Sequence, residues 1–260
     1  FAAIDQAKAN YERCLSLSKD LFESYLQGVF DPSAHSRNGN TEGWKTSHLD
    51  DLGTITSSKR IFKKEYVKVG VPFYRTKEIK ELSNGKPISL ELFISNDKYK
   101  QIKESFGVPK IGDMLMSAVG TIGEILVIEE NNEFYFKDGN IVWFKDFDII
   151  DTHYLKYALT AFVEKIKSLA QGSAYNALTI VKLKNYKISY PNSIEEQQTI
   201  VRQLDTLRAE TKKLETIYQK KIAALDELKK SILEKAFQGE LKVSELGFDG
   251  LQEDRIKINA

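Results

Sequence analysis

One cysteine in 260 residues, Cys14, excludes an internal disulfide and any zinc cluster built from cysteine. The three histidines, His35, His48 and His153, are too scattered to give metal-ligand spacing. Neither charge dominates: 38 Lys and Arg face 37 Asp and Glu, a net charge of +1, so any basic surface must be local. No apolar run approaches the roughly 18 residues of a membrane-spanning helix, and no charged-then-apolar leader opens the chain. A soluble protein of the reducing cytoplasm is expected. An initiator Met is also missing, and the first residues already read as helix, which predicts a piece of a longer chain.

The hydrophobic fraction, 42%, is enough for one substantial core with an elongated appendage. Ile4, Ala7, Tyr11, Cys14/Leu15, Leu21/Phe22, Tyr25 and Val29 recur at spacings of three and four, which predicts a buried helical stripe over residues 1–31. Pro32 stops that helix, and the polar, glycine-bearing residues 32–43 read as a linker. Residues 44–192 are rich in Val, Ile, Tyr and Phe in short runs set off by Gly and Asn. Gly70-Val-Pro-Phe-Tyr, Glu124-Ile-Leu-Val-Ile-Glu, Phe134-Tyr-Phe and Ile141-Val-Trp-Phe are the predicted strands. Helical patterns interrupt them around Asp97 to Phe106 and from Asp151 to Leu169, giving an α+β domain. Ser193-Ile-Glu-Glu196 is a capping box that opens a long helix over residues 193–240, capped by Gly239, with 241–260 as a tail. Leu207, Leu214, Tyr218, Leu225, Leu228 and Ile232 keep the three-four alternation over several heptads of that helix.

Sliding the first helix forward by 207 positions sets Tyr11 on Tyr218, Leu21 on Leu228, Ser24 on Ser231, Leu26 on Leu233 and Phe30 on Phe237. Helices of one period can match by coincidence, but the run of identities reads as an internal duplication. The expected packing set is therefore Tyr11, Leu15, Phe22 and Tyr25 against Leu207, Leu214, Tyr218, Leu225, Leu228 and Ile232.

Between Trp44 and Tyr190 stand 22 basic and 18 acidic side chains, a surplus of four. The segment Lys59, Arg60, Lys63, Lys64 and Lys68 can supply all of it, and Tyr74-Arg75-Thr76-Lys77 follows. Such a run is also the composition of a solvated loop. Clustered lysines hold phosphate backbones by displacing counterions, and an arginine beside an aromatic suits phosphate or base edge. Ser173, Tyr175 and Asn176, in a small polar loop, carry groups able to meet DNA. Gly120-Thr-Ile-Gly123 lacks the Gly-Lys-Ser/Thr of a phosphate loop and reads as a tight turn between strands. Tyr190-Pro-Asn-Ser departs from the Asn/Asp-Pro-Pro-Tyr/Phe element of amino-methyltransferases. No nucleophile elbow or glycine-rich cofactor loop occurs, and Glu78-Ile-Lys80 matches a nuclease triplet that chance often supplies. No catalytic, cofactor or metal residue is predicted.

Together, Trp44…Leu52-Gly-Thr-Ile, Gly70-Val-Pro-Phe-Tyr-Arg-Thr-Lys, Gly112-Asp-Met-Leu-Met-Ser, Gly172-Ser-Ala, Glu195-Glu-Gln-Gln and Leu228-Lys-Lys-Ser-Ile-Leu-Glu-Lys-Ala-Phe resemble the specificity subunit of Type I restriction-modification enzymes. The resemblance runs from Phe1 to Leu241, and the order of the motifs is more specific than any one of them. It implies a target-recognition domain between two long helices that pack as an antiparallel coiled coil. That domain would read half of a split site in double-stranded DNA, and the helices would set half-site spacing and dock methyltransferase subunits. A restriction and translocation subunit completes such complexes, and methyl donor and ATP belong to those partners. Lys59, Arg60, Lys63, Lys64 and Lys77 are then the expected phosphate anchors, with Arg75, Ser173, Tyr175 and Asn176 in a groove. Only one recognition domain is present. Either a second stands elsewhere in a longer chain, or a half-length subunit forms a homodimer through its helices. The competing readings are a protein-interaction adaptor and a nuclease or methyltransferase fragment.

Overall fold

The computed structural model describes residues 1–31, 43–169 and 178–239. The chain runs α1 (Ala2–Phe30), β1 (Trp44–His48), β2 (Thr54–Thr56), β3 (Tyr66–Val67), β4 (Val71–Tyr74), α2 (Thr76–Ser83), β5 (Phe93–Ile94), α3 (Asn96–Ser105), β6 (Met114–Ser117), β7 (Ile125–Val127), β8 (Tyr135–Phe136), β9 (Ile141–Lys145), α4 (Thr152–Leu169), α5 (Ile180–Lys184), β10 (Lys187–Pro191) and α6 (Ile194–Phe237). It is a mixed α+β fold with a long helix at each side of the sequence. Two compact units emerge, Phe1–Phe22 with the chain from Arg208, and Glu23–Leu207.

In the second unit one antiparallel sheet has the order β2-β9-β6-β7, and another, β3-β5-β4-β8, is antiparallel except where β4 meets β8 in parallel. β6 is central, and all four of its residues are buried, because a strand covered on both faces has no solvent side on which to alternate polar residues. The apolar runs expected as strands become β4, β7, β8 and β9. One core cluster joins Val71, Phe73, Ile94, Tyr99, Ile102 and Tyr135, and a second joins Ile79, Leu115, Phe134, Phe136, Ile141 and Trp143. Trp143 Nε1 donates to Asp113 Oδ2 at 2.8 Å, so the largest buried ring keeps its one polar group satisfied.

Gly120 and Gly123 take positive φ in the turn from β6 to β7, as the sequence predicts. A Cβ on Gly123 would stand 2.5 Å from Val163 Cγ1 of α4. β1 and β10 form a two-stranded sheet, Trp44 opposite Pro191 and His48 opposite Lys187, and Asn192 N–H donates to Gly43 O at 2.7 Å. The chain thus arrives and departs side by side. The parts of the long helices in this unit are tied to α4: Gln27 Nε2 donates to Ala161 O at 2.8 Å, and Tyr157 hydroxyl donates to Asp205 at 2.6 Å.

At the start of α6 the Ser193 oxygen accepts the Glu196 N–H, as a capping box requires, but its hydroxyl donates to Glu195. That bond holds the Glu195 carboxyl below the usual range. Gln197, fully buried, ties three elements together. It accepts the Asp151 N–H at 2.8 Å and donates to Ile149 O at 3.3 Å and Pro191 O at 2.9 Å. Gly239 ends the helix at φ 72°.

In the first unit α1 and α6 are antiparallel. Lys8 and Asp226 pair at 2.6 Å, Lys229 and Asp5 at 2.6 Å, the rings of Tyr11 and Tyr218 lie 6.1 Å apart, and Arg208 sits over the Phe22 ring at 4.7 Å. The two tyrosines that the duplication aligns are the two that meet. Among the expected packing residues, Phe22 is buried and Tyr11, Leu15, Tyr218, Leu225 and Ile232 are half-buried. Leu214 and Leu228 are exposed, together with Leu17, Leu21, Ile217 and Leu233. In the second unit Leu207 is half-buried, and Tyr25 is exposed while its neighbour Leu26 is buried.

Candidate nucleic-acid interface

The basic segment follows β2 and is pinned at three points. Ser57 Oγ donates to Ile141 O at 3.0 Å, the Lys59 N–H donates to the Tyr135 hydroxyl at 2.6 Å, and Ile61 is buried in the first core cluster. Burial pushes the Tyr135 phenol up to about 12, so it stays neutral at physiological pH. A one-turn 3₁₀ helix, Lys63–Glu65, comes next, and Glu65 Oε2 accepts the Phe62 N–H at 2.8 Å. Glu65 also pairs with Lys98 at 2.8 Å, which with that backbone bond holds its carboxyl below the usual range. Backbone and apolar anchors therefore face inward and ammonium groups outward.

Lys59, Lys63, Lys64 and Lys68 are exposed, and none forms an ion pair at contact distance among the described residues. Arg60 pairs with Asp138 at 2.7 Å, an exposed contact of the kind worth roughly 0 to 1 kcal/mol. A recess of about 260 Å³, with Ser57, Ala118, Gly139, Leu178 and Thr179 in its wall, joins the start of the basic segment to the beginning of α5. Ser173, Tyr175 and Asn176 lie outside the described residues, and Leu178, just after them, donates its N–H to Ala118 O at 2.9 Å.

Arg75 and Lys77 stand where β4 passes into α2. Sequence reasoning gave no helix here, because only Ile79 and Leu82 supply apolar residues at helical spacing. Glu78, 2% exposed, accepts the Arg75 N–H at 2.7 Å and two guanidinium bonds at 3.2 and 2.6 Å. Burial opposes its charge, yet these bonds from Arg75 hold the carboxyl below the usual range. Glu91 binds Arg75 at 2.7 Å and Lys77 at 2.9 Å. Both expected contacts thus carry acidic partners that sequence reasoning did not foresee. A Glu three residues after an N-cap was the available signal for Glu78; none announced Glu91. Glu78 and Lys80 do not converge: one is buried on Arg75 and the other is exposed. No group of three or more His, Cys, Asp or Glu able to hold a metal occurs among the described residues, and no described helix is long and apolar enough to cross a membrane.

Known proteins resemble this chain in sequence and in fold. Residues 41–224 match the family model described as the Type I restriction modification DNA specificity domain. A putative Type I restriction enzyme specificity subunit of Haemophilus influenzae is 36% identical over 163 residues, 62% of this chain and 39% of its own length. The Type I restriction enzyme EcoBI specificity subunit of Escherichia coli is 30% identical over 182 residues, 67% of this chain and 36% of its own length. The chain thus spans well under two thirds of either relative. Among solved structures, a chain from work on complex assembly and conformational transition of the type I R-M system superposes with a TM-score of 0.71 at 20% identity, covering 92% of this chain and 56% of its own. The HsdS subunit from Thermoanaerobacter tengcongensis gives 0.61 at 20% identity, covering 92% and 55%. These likenesses are of fold, whereas the family match covers most of the sequence and includes the whole basic segment: the chain belongs to the Type I restriction-modification specificity family.

Proposed function

We propose that the chain is a sequence-specific, non-catalytic DNA-binding subunit of a cytoplasmic Type I restriction-modification system, in which residues 44–192 read one half of a bipartite target. The observation that carries this reading is the basic segment: Tyr135 and Ile61 pin its backbone, while Lys59, Lys63 and Lys64 face solvent unpaired among the described residues. Phosphates are the partners such a row fits. Arg60 joins it by releasing the half-buried carboxylate of Asp138, and Lys77 by releasing the exposed one of Glu91. Arg75, held by Glu78, is a groove contact, with Ser173, Tyr175 and Asn176 as further candidates.

The exposed apolar positions of the helical unit, Leu17, Leu21, Leu214, Ile217, Leu228 and Leu233, fit protein partners: methyltransferase subunits, or a second copy of the chain where it acts as a half-length subunit. The restriction and translocation subunit joins that complex. A two-fold dimer would read an inverted repeat.

A salt-titrated gel shift on duplex DNA tests the reading. Replacing Lys63 or Lys64 by Ala is expected to weaken binding to all sequences and lower the salt slope by roughly 0.9 per residue. Arg75→Gln should relax choice at one base pair, by about 1 to 3 kcal/mol of discrimination. If the chain retards no duplex at low salt, the adaptor reading takes its place.

A further inference from the structure

Arg75 has five N–H donors, and their distribution divides the guanidinium into two edges. Glu78 takes one edge whole, Nε–H to Oε2 at 3.2 Å and Nη2–H to Oε1 at 2.6 Å. The other Nη2 hydrogen goes to Glu91 Oε2 at 2.7 Å, and Nη1 has no acceptor among the described residues. Glu91 therefore half-covers the end-on Nη1/Nη2 fork, one of the edges a guanidinium presents to a phosphate or the O6/N7 side of guanine. Its second oxygen accepts the Lys77 ammonium at 2.9 Å. The two carboxylates are not equivalent: Glu78 is 2% exposed, whereas Glu91 is 45% exposed on the connection between α2 and β5. Glu78 fixes the arginine, and Glu91 can leave.

We propose that Glu91 is a specificity-determining residue: in the free protein its carboxylate holds the open fork of Arg75 and the ammonium of Lys77, and only a DNA contact of matching geometry displaces it. This rests on the DNA-binding reading above. A stray phosphate that replaced Glu91 would exchange one exposed ion pair for another with little gain. A bidentate contact to the right base is worth more than the exposed pairs it breaks. Sequence-blind binding is thereby denied two of its cations, while a matched site recovers them.

The test uses the 260-residue chain and a random-sequence duplex. Glu91→Gln is expected to tighten binding about three- to tenfold at low salt and to steepen the salt slope by about 1 to 2. Glu104→Gln makes the same change of charge at an exposed carboxylate that has no basic partner among the described residues, and it should leave both nearly unaltered. Adding Lys77→Gln to Glu91→Gln should take back part of the gain. An equal effect of Glu91→Gln and Glu104→Gln would reduce the gate to bulk charge and overturn it. So would wild-type binding that Glu91→Gln leaves unchanged, with the DNA-binding reading still standing. Failure of both wild type and Glu91→Gln to bind any duplex removes that reading itself and the gate with it.

Discussion

Glu78 and Asp113 are each 2% exposed, yet they titrate in opposite directions. Glu78 lies below its usual range, so the Arg75 pair stabilises the fold fully above about pH 4.5, and that contribution is lost as pH falls through the lowered value. Arg75→Ala leaves a carboxylate in the interior without its cation and is expected to cost about 2 to 3 kcal/mol in urea unfolding at pH 7, shrinking toward pH 3. A loss that does not shrink in acid would disprove the pairing as its cause. Burial raises Asp113, against the bonds it accepts from the Lys110 N–H and Trp143. Here the folded state prefers the proton, so stability is fully present below the unfolded value near 3.8 and declines as pH rises through the raised one. Asp113→Asn can keep an oxygen toward Trp143 and removes the charge. Its stability relative to wild type should increase between pH 4 and pH 7, read by Trp fluorescence during unfolding.

Gln197 belongs to the scale of elements, since it joins the end of β10, the approach to α4 and the first turns of α6 through three main-chain groups. Gln197→Leu keeps the volume but strips those groups of partners, with an expected cost of about 2 to 4 kcal/mol and a matching fall in the thermal midpoint; a neutral outcome would show that water replaces the amide. Nothing local in Glu195-Glu-Gln-Gln distinguishes the buried amide from the exposed one beside it. Elements whose own composition decides them were legible: β4, β7 and β9 from apolar runs, α4 from its stripe, α6 from its cap. β1, Trp44-Lys-Thr-Ser-His, is a strand because β10 lies beside it, a tertiary partner, whereas α2 opens on a local pair, Arg75 with buried Glu78, that a count of apolar spacing does not register. The long helices sit between these cases. Leu21/Phe22 and Tyr25/Leu26 each offer two adjacent apolar residues, and the three-four count cannot say which faces inward. The structure buries Phe22 and Leu26. In the candidate interface the basic run was visible as composition, whereas Glu91, which holds both Arg75 and Lys77, was invisible, being distant in sequence and brought near by the fold.

For the molecule as a whole, the helical unit separates two sets of apolar residues. Tyr11, Phe22 and Tyr218 face the companion helix, while Leu214 and Leu228 face solvent. Leu214→Lys with Leu228→Lys is therefore expected to leave helix content and thermal midpoint nearly unchanged, and to abolish copurification of a methyltransferase subunit or self-association in sedimentation. Unfolding of that variant would place both leucines in the core. The hydrogen bond from Asn192 to Gly43 has a different reach. Chain arriving and chain departing are clasped at one point, so everything between them is a closed loop whose entropic cost grows by only about 0.6 kcal/mol for each doubling of its length. Beyond the clasp the helices meet the enclosed domain chiefly at α4 and its approach, through Gln27, Asp205 and Gln197. A replacement domain that kept neighbouring ends and that one helical surface could be spliced there, and the frame would hold it unchanged.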